Sequence, residues 1–362
     1  MEKEKKCIGV VICTIIPSIV TLFEDMRQRI LHNDIPNFVR QSIVLIALTF
    51  VITKLIMTIF RSKEFRALLD GIDADYEKYN SLPAEYHPII NDTINKTKTL
   101  ERMWVFISLA TSLSYPVLAT VCTIYSQLYS ENPRRFMVHE VAVMFLTEEQ
   151  KYESPYFELF AIFSTYTVFV IFVGFTGYDG MFTICILSAS LKIKLFCKNL
   201  EHIMDDPDIP TIRRKLANFV RDHCEAFRLI CEIQKCFDVW LIGIFLNAVL
   251  QIGMALSQVA SKDKTDISSM WHLFVVATII HIYLPCYLIA DVTYNFARLA
   301  DTAYCCSWEN IQDVGIRKSI CMIICKAQNP VHLKALGMVT FNMELFTSIL
   351  QTSYSMFTLL RS

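Results

Sequence analysis

Long apolar stretches, with charge mostly confined to their ends, recur along this 362-residue chain. Their lengths approach the ~20 residues with which a helix crosses the ~30 Å hydrocarbon core of a bilayer. The pattern predicts spans over residues 7–23, 37–60, 103–127, 157–186, 239–261, 267–290 and 335–360. Isolated charges fall inside three of them: Arg40 and Lys54 in the second, Glu158 and Asp179 in the fourth and Glu344 in the last. One soluble core could not bury seven such segments, and the ~10-residue alternating strands of a membrane barrel are missing. In lipid, a helix pairs its backbone polar groups within itself. The predicted fold is therefore an all-α membrane protein with seven transmembrane helices, forming a single domain over 1–362.

Between the spans the period stays helical while the polarity rises. Leu187, Leu191, Leu195 and Ile203 sit among Lys192, Lys194 and Lys198, and 212–235, 297–308 and 315–327 repeat apolar positions at helical spacing. These stretches predict helices that leave the membrane and pack as a cytosolic anchor region, from 187–235 and 292–334. No loop is long enough for a catalytic insertion. A nucleophile elbow, a phosphate-binding loop and an HExxH motif are all missing. The chain does not read as an enzyme, and no cofactor is expected.

Composition alone changes little. The chain is 54% hydrophobic and 19% charged, with a net charge of −1, so no basic excess points to nucleic acid. The distribution of charge is more informative. Counted by loop, Lys and Arg on alternate sides number 24 and 8. That imbalance predicts a cytosolic N-terminus and an extracellular C-terminus, the reverse of a G-protein-coupled receptor. Of 13 cysteines, none lies in 24–36, 128–156 or 261–266, so no extracellular disulfide framework is expected. The pairs Cys305–Cys306 and Cys321/Cys325 lack a second ligand group and read as small buried hydrophobes rather than a metal site. The sequons at Asn91 and Asn95 fall in a loop assigned to the cytosol, where glycosylation does not occur. The basic start followed by an apolar run is signal-like, but no small-residue cleavage site follows, so an uncleaved first span is expected.

The last span carries a stripe. Leu345, Ser348, Thr352, Ser355 and Leu359 recur at intervals of 3, 4, 3 and 4 and so share one helical face. The stripe fits a wettable pore wall closed by an apolar residue. Taken alone, the pattern fits better the commoner case of small residues that let helices pack closely. Glu344 stands at its inner mouth, either concentrating cations or forming an interhelical ion pair. Lys54, six residues from the end of its span, is expected to snorkel toward the interface. Asp179 and Asp291 are expected at inner helix ends.

Several motifs carry a resemblance. Arg317-Lys318, Lys326-Ala327-Gln328-Asn329-Pro330, Glu344 and Ser353-Tyr354-Ser355-Met356-Phe357-Thr358-Leu359-Leu360 together resemble the ending of the insect odorant receptor family. Ala303-Tyr304 with Trp308 and Gly177-Tyr178-Asp179-Gly180-Met181-Phe182 are similar to two further family segments. The resemblance implies a tuning subunit that joins the olfactory co-receptor in a tetrameric, ligand-gated, nonselective cation channel. It implies a multi-pass protein of the plasma membrane, in olfactory neuron dendrites, with membrane lipid and a small volatile odorant as further partners. The seventh span would line the pore, with Leu359 as its outer gate. Odorant would sit in the outer half of the bundle, between the second, third, fourth and sixth spans. Aromatic and lightly polar residues gather there: Phe38, Ser42, Tyr115, Phe163, Tyr166, Phe274, Thr278 and His281. His281 is open between a ligand anchor and a satisfied interhelical histidine. The alternative function is a G-protein-coupled or gustatory-type chemoreceptor. The Thr-Tyr, five apolar residues, Gln-Phe ending of gustatory receptors is missing here.

Overall fold

A computed structural model describes residues 2–142, 146–147, 149–204, 206–260, 268–329 and 332–361. The described residues are almost wholly helical: α1 (Glu2–Leu31), α2 (Ile35–Phe60), α3 (Ser62–Asn80), α4 (His87–Tyr129), α5 (Tyr156–Met204), α6 (Ile209–Val259), α7 (Ser268–Tyr304), α8 (Val314–Ala327) and α9 (Met343–Arg361). Local chemistry sets several of the starts. Asp34, Asp208 and Asp313 accept the backbone N–H groups of Asn37, Thr211 and Ile316, capping α2, α6 and α8. Pro36 and Pro210 occupy first-turn positions where no N–H is required.

Among the described residues, six helices are long and apolar enough to cross a membrane: α1, α2, α4, α5, α6 and α7. The first six stretches read as spans lie within them; residues 261 and 267, at the edges of two, fall outside the described residues. The last stretch needs correction. Residues 335–342 are not part of a membrane helix. Lys334–Ala335 and Val339–Thr340 form a two-stranded antiparallel hairpin, β1 and β2. Leu336 and Gly337 turn it with positive φ, 73° at Gly337, a conformation glycine adopts without strain. Helix α9 starts only at Met343, and its 19 residues extend about 28 Å. Its hydroxyl side chains and Gln351 leave it without a membrane-length stretch as apolar as those in the six.

With 49 and 51 residues, α5 and α6 are each about 75 Å long, more than twice the bilayer core. Their far ends pack with α3, α7 and α8 around the largest core cluster. Phe182 and Trp240 rings meet there at 4.6 Å, and Phe182 and Phe237 at 5.1 Å. The helical stretches read as an anchor region are the far end of α5, the start of α6, the end of α7 and α8. At the opposite end, α4 leaves Val105, Leu109, Leu113, Val117 and Val121 exposed at four-residue intervals, a stripe suited to lipid.

Candidate functional site

At the end of the bundle away from α3 and α8, the helices diverge around a cavity of about 490 Å³. Helices α1, α2, α4, α5, α6 and α7 all contribute to its wall, and residues 137–141 close it from above. That closing segment is irregular backbone, so its polar groups need partners. Gln41, fully buried on α2, donates to the Glu140 carbonyl at 2.6 Å. The Ala142 N–H donates to the buried Asp25 carboxylate of α1 at 2.8 Å, and Arg40 pairs with Glu140 at 3.4 Å. Thr123 and Ser126 of α4 accept the N–H groups of Phe136 and Arg134. Within the segment, burial first and the neighbouring Arg40 charge second push His139 down to about 3, so its ring is neutral at physiological pH. Its Nε2 has no hydrogen-bond partner among the described residues.

The wall is aromatic. Tyr115 meets Trp271 edge-on at 6.5 Å, and Trp271 meets Phe274 at 5.9 Å. Phe160, Phe163, Phe172 and Phe175 line the α5 side. At the floor, the Trp104 ring stacks flat on His281, with centroids 5.1 Å apart and planes inclined by 6°. His281 Nε2 lies 2.9 Å from Asp179 Oδ2, and Lys54 Nζ donates to Asp179 Oδ1 at 2.6 Å. Lys54 also sits over the rings of Phe50 and Phe175, at 4.6 and 4.3 Å. Snorkelling of Lys54 is thereby overturned: its side chain is 2% exposed and turned inward. Asp179 ends an uncharged run but not a helix, since α5 continues to Met204, so the carboxylate faces Lys54. Asp291 likewise stands inside a helix rather than at its end, since α7 continues to Tyr304, and it pairs with Lys96 at 3.4 Å.

Five of the eight candidate ligand residues line the cavity: Tyr115, Phe163, Phe274, Thr278 and His281. Three do not. Phe38 packs against the cluster of Val39, Met254 and Trp271, and the Ser42 hydroxyl donates to the Phe38 carbonyl at 2.9 Å. The Tyr166 hydroxyl is 2.7 Å from Thr14 Oγ1 of α1. Sequence reasoning missed Trp104, Ser108 and Phe175, which lie deeper than the outer half searched, and missed the 137–141 segment, which has no periodicity.

A second arrangement involves α9. Ser353 and Met356 pack against α6 at Gly253. Beside that packed face, Ser348, Thr352, Ser355 and Leu359 are exposed, with Leu345 half-buried at the start of their stripe. Glu344, in the first turn of α9, is exposed. The hydroxyls of Thr352 and Ser355 donate to carbonyls one turn earlier, which lets them sit on an apolar helix without open polar groups.

This architecture recurs among known proteins. The insect olfactory receptor OR5 from Machilis hrabei, solved in complex with eugenol, superposes with a TM-score of 0.82 at 18% identity, over 97% of this chain and 87% of that one. Odorant receptor 33a of Drosophila melanogaster is 23% identical over 180 residues, 49% of this chain and 47% of the relative. Odorant receptor 85c of the same organism is 29% identical over 160 residues, 43% and 40% of the two chains. The chain thus spans a little under half the length of these two relatives. The sequence model of the 7tm Odorant receptor family matches residues 34–354. With that match across most of its length, the chain belongs to the insect odorant receptors, a family of membrane receptors and not of enzymes.

Proposed function

We propose that this receptor binds small volatile odorants in the aromatic cavity and gates a nonselective cation channel together with the olfactory co-receptor. The observation that carries the reading is the cavity itself: about 490 Å³, walled by rings, with few polar groups and a fixed roof. Such a site suits small apolar molecules, whose burial supplies the binding free energy. The 24-to-8 division of Lys and Arg supports an orientation with the α3–α8 end in the cytosol and the cavity facing outward. The exposed stripe of α9 supports a pore wall formed with α9 helices of neighbouring subunits: Ser348, Thr352 and Ser355 give a wettable path, Leu359 the outer apolar ring, and Glu344 the inner mouth. The plasma membrane of an olfactory neuron dendrite is the corresponding location.

The test is an odorant panel recorded on cells expressing this chain with the co-receptor. Ligand-evoked cation current is expected from the pair and none from this chain alone. Ala277→Trp fills the cavity without touching the ion pair at its floor and is expected to abolish the responses while leaving surface delivery intact. Silence toward every chemical class, with both chains at the surface, refutes the reading.

A further inference from the structure

The floor of the cavity has a chemistry that an apolar site does not need. Lys54, Asp179 and His281 form a buried chain: Lys54 Nζ to Asp179 Oδ1 at 2.6 Å, Asp179 Oδ2 to His281 Nε2 at 2.9 Å. His281 alone of the three reaches the cavity wall. Lys54 already neutralises the carboxylate, and a second positive charge in this aromatic surrounding would have no counter-ion, so His281 is a neutral imidazole. A carboxylate only accepts, so Nε2 carries the ring proton and donates it. Nδ1 is left with its lone pair. It makes no hydrogen bond among the described residues. The flat stack of Trp104 on one face and the tilted ring of Phe175, with centroids 5.1 Å apart, hold the ring orientation.

We propose that His281 Nδ1 is a hydrogen-bond acceptor for ligand, and that this receptor selects alcohols and phenols over ketones, ethers and hydrocarbons of the same shape. The proposal rests on the cavity being the odorant site and adds the functional group it reads. A hydroxyl group donates to Nδ1 while its apolar body fills the ring-lined space above. An acceptor-only ligand brings lone pair against lone pair, and a hydrocarbon leaves Nδ1 unpaired, so both lose what the hydroxyl gains. Lys54 and Asp179 are positioning residues: they fix which ring nitrogen bears the proton.

That role gives an unusual signature. In Asp179→Asn, the Lys54 amine, charged or neutral, still donates to the amide oxygen, which turns the amide NH₂ toward Nε2. The imidazole then takes its other tautomer, Nδ1 becomes a donor, and the preference inverts toward ketones. A residue that merely supports the fold would weaken all ligands alike.

The full chain, co-assembled with the co-receptor and purified, is tested by thermal-shift titration with 1-phenylethanol against acetophenone and 2-heptanol against 2-heptanone, with ethylbenzene as a size control. Each alcohol is expected to bind about tenfold more tightly than its ketone, ~1.4 kcal/mol. In His281→Phe that ratio falls to about one while ethylbenzene binding persists, and in Asp179→Asn the ratio reverses. Equal affinity for alcohol and ketone in the native protein, or an alcohol preference that survives His281→Phe, overturns the proposal and leaves the odorant site standing. Binding of none of the five compounds at millimolar concentration refutes the odorant site and the proposal with it. Should Asp179→Asn fail to assemble, His281→Phe decides alone.

Discussion

Helix α9 packs closely against α6 at Gly253, and the distances there define a sharp substitution test. A Cβ built on Gly253 would lie 3.0 Å from the Met356 sulfur, 3.0 Å from the Ser353 carbonyl oxygen and 3.1 Å from Met356 Cβ. The sulfur can swing away, but the Ser353 carbonyl belongs to helix backbone and cannot. Restoring ordinary contact requires α9 to move outward by a few tenths of an ångström. Two effects compete in Gly253→Ala. Alanine is favoured over glycine in a helix interior by ~0.8–1.0 kcal/mol, and overpacking costs about 1–3 kcal/mol. Because the obstruction is backbone, the second wins, with a net loss of about 1 kcal/mol. Gly177→Ala is the control: it lies in α5 with no atom within 4 Å of the added carbon, so it keeps the helix gain. Thermal melting of the purified assembly, followed by size-exclusion fluorescence, should rank Gly177→Ala at or above the native protein. Gly253→Ala should come below it and Gly253→Leu lowest. Adding Met356→Ala should restore only part of the loss. A Gly253→Ala protein that melts at or above the native temperature would show that α9 is not held at this distance.

Three further substitutions test other parts of the structure. Lys54→Met leaves the Asp179 carboxylate to His281 alone, which must then take up a proton to balance it, so surface delivery should fall; Lys54→Met combined with Asp179→Leu should recover most of it, and biotinylation of surface receptor decides. Leu359→Ala should raise the ligand-free current if Leu359 closes the pore, and an unchanged basal current with normal delivery removes that role. The neutral His139 gives the roof a pH dependence. Its pKa is about 3 when folded against an ordinary 6.5, so the open segment gains a proton that the closed one excludes as pH falls below 6.5. Closure is fully stable above pH 6.5 and weakens toward pH 3, by at most ~1.4 kcal/mol per pH unit. Hydrogen exchange at Ala142 should quicken on acidification after correction for intrinsic rate, and His139→Gln should flatten that trend.

The membrane helices were legible because hydropathy over twenty residues is a property of one segment. Where the fold departs from the sequence reading, the deciding contact is remote. The end of the second span at residue 60 coincides with the end of α2, but the separate helix α3 was not read: Arg61 divides the two with neither Gly nor Pro, and its ion pair with Asp238 of α6, at 2.8 Å, is made 177 residues away. The start of α9 was misjudged for a related reason. Residues 335–341 are apolar enough to extend a span, but β1 is tied to Gln234 of α6 through the backbone of Lys334 and Phe341 is buried, so the segment turns as a hairpin.

The candidate site shows the same division at finer scale. Aromatic residues on α4, α5 and α7 could be gathered from sequence because each helix presents its own face. Depth could not, since it depends on how the helices are staggered. Trp104 and Phe175 lie below the half of the bundle searched, yet they flank His281 and set the floor. Lys54, Asp179 and His281 each stood out as polar groups in apolar runs, and each alone had an ordinary explanation at a helix end or an interhelical contact. Their meaning comes from registry between positions 125 and 102 residues apart. An intramembrane ion pair with a histidine on its far side brings no net charge to the cavity, so it does not oppose neutral ligands. It does fix a proton on one nitrogen and a lone pair on the other, which no hydrophobic floor could do. On the proposed reading, the polar cost is compatible with an apolar site because the His281 Nδ1 lone pair is left for the ligand.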